Sequence, residues 1–358
     1  AQSITAGQSN RSFDFNIFAS ELFNRVDVFK STDAQMEEGS LGATIALHTG
    51  RPFDYDPLTV AANVQMSYND LAEETKPRAS GLISWTNDDS TVGALLSVAY
   101  SERFVGEFGP NTGRWENDQF ASCSACGGDA ALEAEVYDAY HPRFPRYIDG
   151  VQDQERLGVT ASLQFQPRDT TLITFDALLA TIDQRRDSPA LTPISLARTG
   201  STGVQETDVA AFTLDGSTIV AATMDGMDVR AENFVGLADS DFEQFGIRLD
   251  QDFGDRARMK LLYTTSEGTY DETQTTLIYE HFSPTDPRRL LDYADPESAL
   301  TYDFTNMLNP TIAYDWDPAN PANWEMSEFR DRIFDATSEF DTLQLGFEYD
   351  IDDDMTLK

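Results

Sequence analysis

The stretch RASGLISWTNDDSTVGALLSVAYS, residues 78–101, decides the fold. Apolar and polar residues alternate in both halves of this stretch, and the polar segment Asn87-Asp88-Asp89-Ser90 joins the halves. A period of two is typical of a β-strand whose faces meet different environments, and a short polar turn between two such segments predicts a β-hairpin.

The same pattern recurs from about residue 58 to the end of the chain. Eight alternating segments cover residues 58–69, 78–86, 92–101, 157–166, 173–179, 245–250, 259–263 and 343–349, and a ninth begins at Met355. Further tight turns lie at 166–169, 254–256 and 352–354, whereas long acidic connections are predicted near 103–153, 183–240 and 267–336. Short turns on one side and long loops on the other are typical of an outer-membrane β-barrel.

An aromatic residue stands on the apolar stripe just before each tight turn. These residues are Trp85, Phe165, Phe253 and Tyr349. Their recurrence at one end of the strands favours an interfacial aromatic girdle, although β-propensity alone also enriches aromatics in strands. Charges on the polar stripes, such as Asp176 and Arg248, suit a wet lumen or bulk solvent equally well.

The composition excludes some classes of function. The 358 residues include 62 acidic and 25 basic side chains, which gives a net charge of -37. Binding to a nucleic-acid backbone needs clustered Lys and Arg, so a nucleic-acid partner is not expected. No apolar run reaches the roughly 18 residues that a transmembrane helix needs, and barrel strands, which are short and half apolar, do not require one.

The only two cysteines are Cys123 and Cys126. A single C-x-x-C without a second ligand pair is a poor zinc site. A small disulfide in an oxidising compartment is the favoured interpretation, and free thiols or a metal site are the alternatives.

The sequence offers no catalytic arrangement. The three histidines, His48, His141 and His281, lie far apart, and His48 is expected to be structural. Nucleophile-elbow, P-loop and zinc-protease motifs are missing. We therefore predict a protein that is not an enzyme, with no cofactor and no metal site.

Residues 12–53 carry a specific resemblance. SFDFNIFASELFNRVDVFKS at 12–31 is followed by EEGSLGATIALHT at 37–49 and by Arg51-Pro52-Phe53. This closely resembles the C-terminal half of the plug domain of TonB-dependent outer-membrane receptors, within a proteobacterial branch often associated with carbohydrate uptake. Ala43 departs from the family pattern, which usually has a second glycine at that position.

The resemblance implies a fold and a domain organisation. Residues 1–56 would be the C-terminal part of a small α/β plug, and residues 57–358 the N-terminal part of a transmembrane antiparallel β-barrel with long extracellular loops. Eight strands and the start of a ninth fall short of the family's barrel of about 22 strands, so the barrel is expected to be partial. The plug precedes the first strand, which places the tight turns in the periplasm.

The resemblance also implies a function. The expected protein is a receptor in the Gram-negative outer membrane that binds a scarce nutrient and passes it to the periplasm when the TonB complex acts on the plug. The segment that contacts TonB is not among the residues that carry the resemblance. A neutral oligosaccharide is the favoured ligand and a ferric siderophore the alternative. A secreted soluble all-β binding module is the alternative from another class, and it would bury the stripe of Leu58, Val60 and Val64 against a second sheet.

Ligand binding is predicted in the long loops, where recognition residues commonly sit on a rigid scaffold. Aromatic faces beside Asp, Asn and Glu acceptors suit a neutral sugar, because the ring stacks on C–H groups while hydroxyls are hydrogen-bonded. The alternative is that these aromatics pack the loops together. The candidate residues are Arg114, Trp115, Asp118, Tyr314, Trp316, Asp317 and Trp324.

Overall fold

The computed structural model describes residues 15–31, 43–117, 120–194, 207–227, 229–281, 299–351 and 355–357, and they form a mainly β protein. The strands are β1 (Phe23–Phe29), β2 (Thr44–Thr49), β3 (Leu58–Asn69), β4 (Glu74–Thr86), β5 (Val92–Asn111), β6 (Trp115–Glu116), β7 (His141–Pro142), β8 (Arg146–Arg168), β9 (Thr171–Pro193), β10 (Asp208–Asp215), β11 (Thr218–Asp225), β12 (Val229–Phe253), β13 (Ala257–His281), β14 (Ala299–Asp303), β15 (Thr311–Tyr314), β16 (Trp324–Asp350) and β17 (Thr356–Leu357). The α-helix is α1 (Ala130–Asp138), and short 3-10 helices span Phe15–Ile17, Ser20–Leu22, Pro52–Asp54, Ser124–Cys126 and Pro321–Asn323.

A nine-stranded antiparallel sheet dominates the fold. Its strands follow chain order, β3-β4-β5-β8-β9-β12-β13-β16-β17. The eight predicted strands and the start of a ninth are therefore confirmed. The turn at 352–354 lies outside the described residues.

The predicted bounds of the long connections are wrong, because the strands continue into them. The connections span only 112–145, 194–228 and 282–323, and the first connection, 70–73, is short. Backbone pairing persists through acidic segments, as at Phe104 with Asp153 and at Asp183 with Asp239. Charged and polar residues interrupt the apolar residues on both faces of these segments, so the apolar period of two is lost although the ladder of backbone hydrogen bonds is not.

The predicted apolar stripes align on one side of the sheet, called here the outer face. One row of directly paired residues crosses eight strands: Leu58, Trp85, Ala94, Leu163, Phe175, Ile247, Tyr263 and Leu343. On β3, Leu58, Val60 and Val64 are 65%, 70% and 76% exposed. Within the described part of the chain no second sheet covers this stripe, contrary to what the soluble module required.

The apolar part of the outer face, called here the apolar band, has limits on both sides. Toward the tight turns it ends at the predicted aromatics Trp85, Phe165, Phe253 and Tyr349, all of which are exposed. Toward the long connections it gives way to a row of paired carboxylates that crosses six strands. This row comprises Glu102, Glu155, Asp183, Asp239, Asp271 and Asp335.

Both limits of the apolar band shift together across the sheet. At the limit near the tight turns, β4 ends at Thr86. The row of paired residues that contains Thr86 crosses the sheet to β16, and β16 continues beyond that row to Tyr349. At the other limit, the band on β16 ends at Leu343, which shares a row with Ala94 and is followed on the same face by Asp341 and Glu339, whereas the band on β5 extends to Tyr100. The strands are therefore inclined to the apolar band.

The opposite side of the sheet, called here the inner face, contacts the N-terminal residues. Ile17, Phe18, Ala19 and Leu22 form a buried cluster with Ala99, Leu178, Ala180, Ile182 and Phe242. The ring of Phe18 meets Phe242 edge-on, with centroids 5.2 Å apart. Strands β1 and β2 pair antiparallel, and His48 hydrogen-bonds Asp27 across the pair at 2.9 Å.

Candidate functional site

The three long connections fold together into a separate unit, called here the loop domain, which comprises residues 112–117, 120–145, 207–227 and 299–323. A four-stranded sheet, β10-β11-β14-β15, draws strands from two different connections. Its core buries, among others, Val136, Val209, Ile219, Met224, Leu300 and Tyr302. Apolar residues within predicted loops therefore build a hydrophobic core of their own.

Local sequence signals explain how the loop domain folds. Asp129 caps α1 by accepting hydrogen bonds from the backbone N–H groups of Ala131 and Leu132, at 3.0 and 3.4 Å. Gly216 has a φ of 62° in the turn between β10 and β11, where a side chain would be strained. Cys123 and Cys126 are joined by a disulfide and are buried in the core, which confirms the predicted bridge.

Asp208 joins the second long connection, 194–228, to the first, 112–145. Its carboxylate accepts hydrogen bonds from the Ser122 hydroxyl, from the Ser124 hydroxyl and, at 3.0 Å, from the Ser124 backbone N–H. Burial by itself raises the pKa of Asp208, but these hydrogen bonds outweigh burial and hold the pKa below its ordinary value. The loop domain is thus joined by polar contacts as well as by its core.

Two of the predicted binding residues pack or pair within the loop domain. Trp115 meets Phe304 edge-on, with centroids 6.3 Å apart. Arg114 forms an ion pair with Glu116 at 2.8 Å. Asp118 lies outside the described residues.

Two of the remaining predicted residues, Trp316 and Trp324, pack against His281 at the end of β13. Trp316 stacks flat on the imidazole of His281 at 3.7 Å, and Trp324 meets Trp316 edge-on at 5.3 Å. Asp317 accepts a hydrogen bond from the backbone N–H of Ala319 at 2.9 Å and so shapes the turn. These contacts support the alternative that most of the predicted aromatics hold the loops together.

Tyr314 differs from the other predicted residues, because it lines an open groove of about 540 Å³. Burial raises the pKa of its hydroxyl well above the ordinary value. The groove, called here the wall groove, is lined by Tyr147, Asp149, Pro189, Ala190, Leu191, Ala231, Glu232, Asn233, Tyr279, Ile312 and Tyr314. Strands β8, β9, β12 and β13 form its floor, and β15 of the loop domain forms one side.

Sequence reasoning missed most of the wall groove, although a usable signal was present. Tyr147, Leu191, Asn233 and Tyr279 keep the parity of the apolar stripe on their strands, beyond the acidic segments. Continuing the period of two through those segments would have placed all four on one face of the sheet. The predicted loop bounds concealed this continuation.

The N-terminal residues are joined to the inner face by ion pairs as well as by apolar contacts. Arg78 pairs with Glu21 and donates a hydrogen bond to Ser20 at 3.0 Å. The hydrogen bond from Arg78 holds the pKa of Glu21 below its ordinary value. Arg51 pairs with Asp176 at 2.7 Å. The contact therefore combines a buried apolar cluster with two partly exposed ion pairs.

Comparisons of this chain with protein-family models, with curated proteins and with solved structures found no match. Among the described residues, no helix is both long enough and apolar enough to cross a membrane.

Proposed function

We propose that this chain is part of a TonB-dependent outer-membrane receptor that binds a neutral oligosaccharide outside the cell and passes it to the periplasm. Energy-coupled movement of a plug, driven by the TonB complex, would open the path. The N-terminal residues 1–56 would belong to the plug, and residues 57–358 to the barrel. The protein would bind the oligosaccharide and let it pass through a gated path, and it would make or break no covalent bond.

The observation that carries this proposal is the contrast between the two faces of the sheet. The outer face presents an exposed apolar band that ends in aromatics at the tight turns. Outer-membrane barrels present such a band to lipid and place aromatic girdles at its limits. The inner face contacts residues 15–23, which is where a plug would lie.

The inclination of the strands supports the barrel. Closing a sheet into a barrel requires strands that tilt against the axis, with a staggered register. The limits of the apolar band shift together across the sheet, which is the arrangement expected if the band is level in the membrane and the strands are tilted. The tight turns would then face the periplasm, and the loop domain would face outside.

The charge balance supports a neutral ligand. A net charge of -37 disfavours polyanionic ligands. Aromatic side chains next to Asp and Asn, as in the wall groove, suit sugar rings and their hydroxyls. A ferric siderophore remains the alternative ligand to be tested.

The test uses the full-length gene in its Gram-negative host. Deletion is expected to abolish growth on one class of neutral oligosaccharide, and fractionation is expected to find the protein in the outer membrane. Loss of ferric-siderophore uptake alone would overturn the ligand assignment. Recovery of the protein from the medium or the periplasm would overturn the receptor and favour the soluble module.

A further inference from the structure

We infer that the wall groove is a binding site for a neutral carbohydrate that lies on the outside of the barrel wall and not in its lumen. This inference rests on the proposed function in one respect only, namely that the outer face of the sheet is the outside of the barrel wall. The groove itself, its lining residues and its chemistry stand independently of that function.

The position of the groove follows from strand register. Pairing between β8 and β5, between β9 and β12, and between β12 and β13 is continuous, with no register shift from the apolar band up to the groove. Side chains alternate strictly between faces along an uninterrupted strand. Tyr147 therefore shares the face of Phe165, Leu191 that of Phe175, and Asn233 that of Phe245. The floor of the groove belongs to the outer face, well beyond the carboxylate row.

The loop domain closes one side of the groove from outside. The Tyr147 hydroxyl donates a hydrogen bond to the carbonyl of Pro310, in the turn between β14 and β15. Ile312 and Tyr314 on β15 then face the floor. At the tip of this hairpin, Leu308 is 97% exposed. The hairpin therefore forms an overhang above the wall, and the groove is open to solvent beside it.

The lining chemistry indicates a sugar. Three tyrosines, Tyr147, Tyr279 and Tyr314, provide aromatic surface, and Asp149 and Asn233 lie exposed beside them as hydrogen-bonding groups. An apolar lining with a few placed polar groups, in a volume of several hundred Å³, is typical of a small-ligand site. Aromatic rings can stack on the C–H faces of a sugar, while a carboxylate and an amide bind its hydroxyls.

The charges around the groove favour a neutral ligand over an anionic one. The lining residues include Asp149 and Glu232 and no Lys or Arg. By register the side chain of Glu232 lies on the inner face, where it accepts a hydrogen bond from Thr192 at 3.2 Å, so Asp149 is the carboxylate that faces the groove. Arg146, which is also on the inner face, pairs with Glu232 at 3.9 Å. A uronic-acid oligomer would thus meet the negative charge of Asp149 with no Lys or Arg in the lining to offset it, whereas a neutral oligosaccharide carries no charge to be repelled.

The experiment measures binding of a panel of short neutral oligosaccharides to the full-length protein purified in detergent, by isothermal titration calorimetry. One neutral class is expected to bind, and a uronic-acid oligomer of the same length is expected not to bind. Tyr279→Ala should weaken binding about tenfold, which is the usual loss for an aromatic anchor. Tyr279→Phe, which keeps the ring, should retain most of the affinity.

Two further variants separate loss of the site from loss of the fold. Ala231→Trp adds bulk to the floor of the groove and removes no contact, so it should abolish binding. Tyr140→Ala is the matched control, because Tyr140 is a similarly exposed tyrosine of the loop domain that does not line the groove. Its affinity should equal that of the wild type.

The outcomes distinguish this inference from the proposed function. Oligosaccharide binding that Tyr279→Ala and Ala231→Trp leave unchanged, or binding by no member of the panel, would overturn the wall groove. Binding that Tyr279→Ala weakens and Ala231→Trp abolishes, with Tyr140→Ala unchanged, would uphold the groove even if fractionation found the protein outside the membrane. That result would overturn only the receptor.

Discussion

Replacing Leu96 with arginine is expected to lower the free energy of unfolding by about 2–4 kcal/mol when the protein is folded in lipid vesicles. Leu96 lies on the outer face at the middle of the apolar band on β5, which runs from Val92 to Tyr100. These residues span about 26 Å along the strand, or about 20 Å once the strand is tilted. Leu96 would therefore lie near the bilayer midplane, where a guanidinium is most costly.

The control substitution is Thr269→Arg on the same face of β13. Thr269 lies beyond the apolar band and pairs with Asp241, so an arginine there would meet water and a carboxylate. The expected cost is about 0–1 kcal/mol, as found near bilayer interfaces. Urea titration followed by tryptophan fluorescence measures both variants.

The comparison can refute the membrane assignment, because Leu96 is already 46% exposed. If the outer face met water, Leu96→Arg would be an ordinary surface substitution with an effect within about 0.5 kcal/mol. Equal stability of the two variants would contradict a lipid-facing apolar band.

Four further changes test other parts of the structure. Phe18→Ala removes a buried ring between the N-terminal residues and the inner face, and should cost about 3–5 kcal/mol in urea unfolding. Burial lowers the pKa of His141 in the folded state, so the loop domain should lose stability as pH falls below about 6.5, and His141→Phe should remove this dependence in thermal melts at several pH values. The Cys123–Cys126 bridge closes only a short loop, so its reduction should lower the free energy of unfolding by about 1–2 kcal/mol in calorimetry. Asp239→Asn relieves like-charge pairing in the carboxylate row and should raise stability by about 0.2–1 kcal/mol in low salt, with a smaller gain in high salt.

The sheet could be predicted from sequence because each of its strands has one apolar stripe. Residues such as Val60, Leu96 and Leu345 indicate both that the segment is a strand and which of its faces is apolar. Beyond Tyr100 or Leu179 charged residues interrupt the apolar stripe of the outer face, and the apolar pattern no longer marks a strand. Backbone pairing does not depend on that pattern, so the strands run on into the segments predicted as loops.

The candidate site could be predicted only in part, for a related reason. Tyr314 was identified from its aromatic and acidic neighbours, and it lines the wall groove. Trp115 and Trp316 have similar neighbours in sequence, yet they pack within the loop domain. Local composition does not reveal whether an aromatic faces a groove or a core. That depends on contacts between connections far apart in the chain, such as Tyr147 with Pro310.

The most direct test of the central claim is a nitroxide scan along β5 in lipid vesicles. The only native cysteines, Cys123 and Cys126, are joined to each other, so a single introduced cysteine is the one free thiol in this chain. Labels at Ala94, Leu96 and Val98 should be accessible to oxygen and protected from a water-soluble nickel chelate, whereas labels at Leu95 and Ser97 should be less accessible to oxygen. Ready access of the nickel chelate to Ala94, Leu96 and Val98 would show that the outer face meets water, and would contradict the membrane barrel.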